Sequence, residues 1–339
     1  MLYILPIAIL LLSYAYSKFE NETNKKYLWV FGCVLVWLVL ALRSSSVGSD
    51  TVQYLRYFER FRNLSWEEAI GSVQKDYGFY VFTKILSDLS SWNVFYIGVT
   101  AFASCIGVFV FLYDNTRRPL LALFFYITIA NFLFLFTGIR QSIAMSICLL
   151  AVRSAKEKKL LSYLLIVGIA ALFHHSALLF LPTYFVLNRR FSWGLVVLEV
   201  IVTIVAAMFY EQLLQQLNDA LDYEYTVETV TNGGIFYAVL LLILVLAVMG
   251  RKLWREYETD NVMINMGFVS AMVWTFRLFS RVAERPSLYW LTAFPVVLSN
   301  ELDYYERKTR GLLVGGAVVL CYLLYIRRLD TLAYQFFWQ

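Results

Sequence analysis

Apolar runs free of Asp, Glu, Lys and Arg divide the chain, at 1–17, 89–113, 119–139, 160–188 and 229–250. A helix needs about 20 mainly apolar residues to cross the hydrocarbon layer, or somewhat fewer when flanking side chains snorkel. Membrane-spanning strands would alternate apolar and polar positions, and these runs do not. The pattern predicts about twelve helices, near 2–17, 27–43, 92–113, 119–137, 139–154, 159–174, 175–188, 191–211, 234–250, 261–281, 285–301 and 310–326. The second and third are separated by a long connection, 43–91. Its latter part, YGFYVFTKILSDLSSW, mixes apolar and polar residues at roughly helical spacing and predicts one interfacial helix on the outer leaflet. No repeat, low-complexity tract or soluble domain interrupts the rest. The expectation is an all-α polytopic integral membrane protein, a single domain over 1–339.

Composition agrees. With 60% hydrophobic, 18% aromatic and 16% charged residues, and a mean hydropathy of +0.64, the 339-residue chain has more apolar surface than a soluble core can hide. The net charge of +5 does not point to nucleic acid, because the basic residues form short clusters between apolar runs. Lys18/Lys25/Lys26, Arg117/Arg118, Arg153/Lys156/Lys158/Lys159, Arg189/Arg190, Arg251/Lys252/Arg255 and Arg307/Lys308/Arg310 fall on alternate connections. They therefore share one side, which the positive-inside rule makes cytoplasmic. On the opposite side the connection 211–234 carries Glu211, Asp219, Asp222, Glu224 and Glu228 and no Lys or Arg. Both termini are then expected outside, and the N-terminal run, lacking a basic leader and a small-residue cleavage site, is expected to be a retained span. The four cysteines (Cys33, Cys105, Cys148, Cys321) lie singly in apolar runs without ligand spacing and are expected to serve as small packing residues.

Topology leaves several cations unexplained, among them Arg43, Arg140, Arg277, Arg281 and Arg285 at the outer ends of spans. An ionisable group at membrane depth costs about 3 kcal/mol or more on insertion scales. Arginine stays charged and matches phosphate oxygens with a two-pronged fork. The cluster points to an anionic, lipid-linked ligand; the alternative is snorkelling to lipid headgroups. Arg277, Arg281 and Arg285, at i, i+4 and i+8, are expected on one helical stripe.

His174 and His175, the two histidines of the chain, fall at the same brim. Histidine can serve there as general base to a sugar hydroxyl or, protonated, as a phosphate partner; an ordinary hydrogen-bonded role is the alternative. Asp50 and Asp76 are outer carboxylates flanked by glycine and aromatics, candidates for binding sugar hydroxyls or for the base, or else a helix cap and a loop acid. Glu199 sits alone within a span, weak support for a proton relay. No metal is expected, since adjacent histidines diverge on a helix and no acid completes a set.

Four segments in order, VGSDTVQY (47–54), DYGF (76–79), GIRQSIA (138–144) and FHHSAL (173–178), resemble the EpsG-like branch of the Wzy-type bacterial polysaccharide polymerases. The matching positions are Gly48, Asp50, Thr51 and Tyr54; Asp76 and Gly78; Arg140 and Gln141; and His174, Ser176 and Ala177, with Arg285, Tyr289, Trp290 and Pro295 later. Pro286 after Arg285 departs from the pattern. The resemblance implies a GT-C-like glycosyltransferase in the bacterial cytoplasmic membrane, with its active site on the outer side. It joins undecaprenyl diphosphate-linked oligosaccharide repeats, needs no cofactor, and has a chain-length regulator as a candidate protein partner. On that reading Arg140, Arg285, Arg277 and Arg281 bind the departing diphosphate, and His174 or Asp50 is the base. Gln141, Asp76, Tyr54, Arg43 and His175 contact substrate. Another polyprenyl-dependent transferase or glycan ligase is the alternative within the class, and a transporter or flippase of lipid-linked glycans is the alternative outside it. Polar groups gathered at one brim, not spread through the membrane depth, favour an enzyme.

Overall fold

The computed structural model of the protein describes residues 1–129, 131–189, 233–253, 260–278, 284–301, 305–329 and 333–339, with scattered positions between 194 and 219. Every regular element among these residues is helical, with 15 α-helices. Three helices are long and apolar enough to cross a membrane: α2 (Glu22–Ala41), α6 (Asn93–Asn115) and α15 (Arg307–Leu329) over Lys308–Leu329. Shorter apolar helices accompany them, including α1 (Ile4–Lys18), α7 (Pro119–Ile129) and α9 (Leu160–Phe173). The segment PLLALFFYITI of α7 is apolar on every face, and it is buried on every face, with α1, α15 and α14 (Ala293–Glu301) around it. α8 (Ile139–Lys156) packs between α6 and α9. A Cβ on Gly107 would stand 1.8 Å from the Ser146 carbonyl, so only glycine lets α6 approach α8 this closely. The four cysteines are unpaired and buried.

The latter part of the 43–91 connection is helical as expected, and the earlier part adds two more helices. The connection folds as α3 (Thr51–Arg62), α4 (Trp66–Gly71) and α5 (Tyr77–Leu89), a cap with its own apolar core. In TVQYLRYFERF the apolar side chains recur one turn apart, so Tyr54, Leu55, Phe58 and Phe61 share a buried face. That face packs with Phe79, Tyr80 and Leu86 of α5 against Tyr96 and Ile97 of α6 and Ile139 and Ile143 of α8. Burying such side chains stabilises the cap by about 1.5–3 kcal/mol each. Ser65 and Glu68 form a reciprocal capping box that starts α4.

Four expected helices are broken. The segment expected at 119–137 ends as α7 at Ile129 and continues as a 3-10 turn, Phe132–Phe136. There Asn131 turns its amide to the Leu288 carbonyl at 2.6 Å, and the Thr137 hydroxyl takes the Phe134 carbonyl. The segment 175–188 is a 3-10 turn, His175–Phe180, followed by α10 (Thr183–Leu187), because Pro182 has no N–H to continue the ladder. The segment 261–281 stops as α12 (Asp260–Thr275) plus a 3-10 turn, Phe276–Leu278. Pro286 then sits in the first turn of α13 (Glu284–Leu291), and Pro295 in that of α14, which splits 285–301 at Thr292. The 277–281–285 stripe therefore does not form: Arg277 and Arg285 belong to different elements. Arg281, Glu199, residues 220–232 and most of 191–211 lie outside the described residues.

Hydrogen bonds sort the bundle into two ends. At one, Thr116 meets Ser299, Asn300 reaches the Asn115 carbonyl, Lys156 bonds Asn115, and Asn265 holds the carbonyls of Val186, Leu187 and Arg189. Trp29 stacks on Tyr113, bringing the start of α2, with Lys25 and Lys26, to the same end. The described parts of the basic connections around Lys25, Arg117, Lys156 and Arg189 thus share one end. At the other end lie the cap, the start of α8 and residues 333–339, which bridge through Phe336 to Arg43.

Candidate active site

Arg140 is in the first turn of α8, immediately after the 3-10 turn and Gly138. Its Nη1 donates to Asp76 Oδ2 at 2.7 Å and its Nε to the Tyr54 hydroxyl at 3.4 Å, while the guanidinium lies 5.8 and 6.0 Å from the Tyr54 and Tyr80 ring centres. Nη2 has no partner among the described residues. Cap and bundle therefore meet on this one side chain.

Asp76 is 1% exposed and stands at the N-cap position of α5 with φ 56° and ψ 40°. A non-glycine residue in this left-handed region costs on the order of 1 kcal/mol, least for Asp and Asn. Its carboxylate does not cap α5. Oδ2 takes Arg140, and Oδ1 accepts from the His175 backbone N–H at 3.2 Å and from His175 Nδ1 at 2.9 Å. A buried carboxylate is stable only when so satisfied.

The neighbouring histidine is differently held. His174 is extended between α9 and the 3-10 turn, 7% exposed, and its Nδ1 accepts from the Ser176 N–H at 3.3 Å. Ser176 Oγ lies 2.7 Å from that nitrogen and 2.9 Å from the Tyr289 hydroxyl, linking the ring to α13. Burial lowers the His174 pKa to about 3, helped by the positive charges of Arg140 and Arg285. The ring is neutral near pH 7, with its proton on Nε2. Arg140, Arg285 and Lys75 are thus near enough to His174 for their charge to act on it.

Gln141 donates to the Arg285 carbonyl at 2.8 Å and so ties α8 to α13, leaving the Arg285 side chain exposed. Asp50 heads α3 without capping it; its carboxylate accepts from the Ser49 hydroxyl at 2.7 Å. Its charge is felt at Tyr54, which places it beside the Arg140 partner. Arg277 is buried, with Nε on Glu284 at 2.9 Å and Nη1 unpartnered among the described residues. Arg43 is 2% exposed; Nη1 donates to the Leu135 carbonyl at 3.2 Å and the guanidinium lies 5.4 Å from the Phe136 ring centre. The structure thus links Arg140, Asp76, His175 and Tyr54 directly, with His174 next in the chain, Gln141 tying in Arg285 and Asp50 one turn before Tyr54, whereas Arg43 and Arg277 are held by other partners, Leu135 and Glu284. No group of His, Cys, Asp or Glu among the described residues is placed to hold a metal ion.

Sequence reasoning assigned no part to Tyr80, Glu284 or Lys75. Tyr80 had a readable signal, one turn beyond Asp76 on an amphipathic helix. Glu284 and Lys75 had none, because their relevance comes from partners distant in the chain.

Fold and site together define a polytopic helical membrane protein with a charged, partly buried site at the end opposite its basic connections. The chain belongs to the EpsG family, whose model matches residues 26–339; these are Wzy/EpsG-like polysaccharide polymerases, and membership implies a role in repeat-unit polymerisation. Neither a curated protein nor a solved structure matches the chain.

Proposed function

We propose that this protein extends a surface polysaccharide by transferring the growing glycan from undecaprenyl diphosphate onto a lipid-linked repeat, at the outer face of the bacterial cytoplasmic membrane. The supporting observation is the placement of Arg140, a cation at membrane depth, anchored on buried Asp76 and at the end away from the basic connections. Positive-inside asymmetry puts that end outside. Breaking the anomeric C–O bond leaves a diphosphate whose developing charge calls for fixed cations nearby. Arg140 offers Nη2, and exposed Arg285 is tied by its carbonyl to Gln141, the next residue after Arg140. These two are the first diphosphate ligands, with Arg277 and Arg281 flanking. On this reading no metal takes part. Tyr54 and Gln141 set the orientation of Arg140 and of α13. His174, neutral and with Nδ1 already accepting, is a hydrogen-bond donor through Nε2, and Asp50 is a carboxylate one turn before Tyr54 on α3.

Deleting the gene is expected to leave single repeats on the surface glycan and remove the ladder of longer chains. Arg140→Ala expressed in that strain is expected to insert normally and leave the ladder absent. Loss of all surface repeats on deletion points to export instead, and a normal ladder from Arg140→Ala removes Arg140 from the site.

A further inference from the structure

We infer that His175, not its buried neighbour, is the base that takes the acceptor hydroxyl proton, with Asp76 as the residue that orients it. This rests on the polymerase reading above. The argument is about which ring nitrogen carries hydrogen. A carboxylate has only acceptor oxygens, so the 2.9 Å contact between His175 Nδ1 and Asp76 Oδ1 requires the hydrogen on Nδ1. In the neutral ring Nε2 then holds a lone pair. At His174 the assignment is opposite: the Ser176 backbone N–H, which can only donate, points at Nδ1, so Nε2 carries the hydrogen. Of two adjacent histidines, one presents a basic nitrogen and the other an N–H.

Exposure separates them again. The His175 side chain is 40% exposed, whereas His174 is 7% exposed. A base must reach a substrate hydroxyl, and only His175 is open enough to do so. Its ring is also held rigidly, because the backbone N–H of the same residue bonds the same Asp76 oxygen at 3.2 Å. A buried carboxylate that fixes one imidazole nitrogen while the other faces substrate is the arrangement by which hydrolases orient a histidine base. Here the other oxygen of the carboxylate holds Arg140, so one residue positions both the base and the cation proposed for the leaving group.

The step balances. The acceptor hydroxyl oxygen forms a bond to the anomeric carbon as the bond from that carbon to the diphosphate oxygen breaks. The hydroxyl proton passes to His175 Nε2, giving an imidazolium paired with Asp76, and the diphosphate leaves with the bonding electrons beside Arg140. The imidazolium later returns its proton to water. The charged group in contact with this ring is Asp76, whose other oxygen holds Arg140, and neutral His174 is adjacent in the chain.

The test uses full-length protein in detergent with a synthetic polyprenyl diphosphate-linked repeat, read as kcat and KM for chain extension. His175→Ala is expected to lower kcat by roughly 10²–10⁴-fold with little change in KM, and added imidazole is expected to restore part of the rate. His175→Lys, which keeps a cation but not a neutral ring nitrogen, is expected to stay inactive. Wild-type kcat in His175→Ala, a loss confined to KM, absence of imidazole rescue, or activity in His175→Lys each overturns the inference; the last makes the residue a phosphate ligand. Failure of the polymerase reading looks different, since wild-type protein then extends nothing.

Discussion

Asp76 and the two histidines show how little a residue's type says about its part. As letters, His174 and His175 are interchangeable; in the fold one is sealed against Ser176 and Tyr289 and the other rests on Asp76 with its ring half open. The buried ring has a measurable consequence. Its folded pKa, lowered to about 3, lies below the ordinary 6.5, so below that ordinary value the unfolded chain binds a proton that the folded protein does not. Stability from this group is present above about pH 6.5 and is lost as pH falls toward 3. Thermal midpoints in detergent are expected to drop between pH 7 and pH 5 by on the order of a few degrees more in the wild type than in His174→Gln. Equal drops in the two proteins rule out His174 as a buried neutral group.

Among elements, the short turn from Val47 to Thr51 decides where Arg140 points. Gly48 has φ +93°, and a Cβ there would fall 1.8 Å from the Phe136 carbonyl oxygen. The Thr51 hydroxyl bonds the carbonyls of Val47 at 2.8 Å and Phe136 at 3.3 Å, and Arg43 grips Leu135 from the other side. These contacts hold the 3-10 turn that leads into α8. Gly48→Ala is expected to abolish chain extension. Thr51→Val is expected to reduce it about tenfold through an unpaired carbonyl costing ~1–3 kcal/mol, while Thr51→Ser, which keeps the hydroxyl, is expected to stay within about twofold of wild type. If Val and Ser behave alike, the hydroxyl does not hold the turn. The break after Ile129 was invisible in YITIANFLFLF because neither charge nor proline marks it; what interrupts the helix is Asn131 turning to Leu288, 157 positions along the chain.

The whole molecule is organised by charge along its axis. Basic connections share one end through Asn115, Asn265 and Asn300, and the cap and site share the other. In intact cells, a membrane-impermeant maleimide is expected to label Asn63→Cys, in the α3–α4 connection. Glu157→Cys, between α8 and α9, is expected to label only after permeabilisation. The reverse pattern inverts the orientation and moves the site to the cytoplasm. The native cysteines are buried and leave this readout clear.

Much of this was legible in the chain. Apolar run length and the alternation of basic clusters determined a helical membrane protein and separated its two ends, because the cost of placing charge in hydrocarbon acts on each segment independently of its neighbours. Motif order determined the family. Tertiary structure alone decided that 43–91 is a three-helix cap, that Arg277 and Arg285 belong to different elements, and that Arg43 turns inward. It alone also decided that Asp76 joins Arg140 to His175, 64 and 99 positions away. The reason is physical. Hydrophobicity is a property of a segment, whereas a hydrogen bond fixes the role of each partner only once folding has brought the two together.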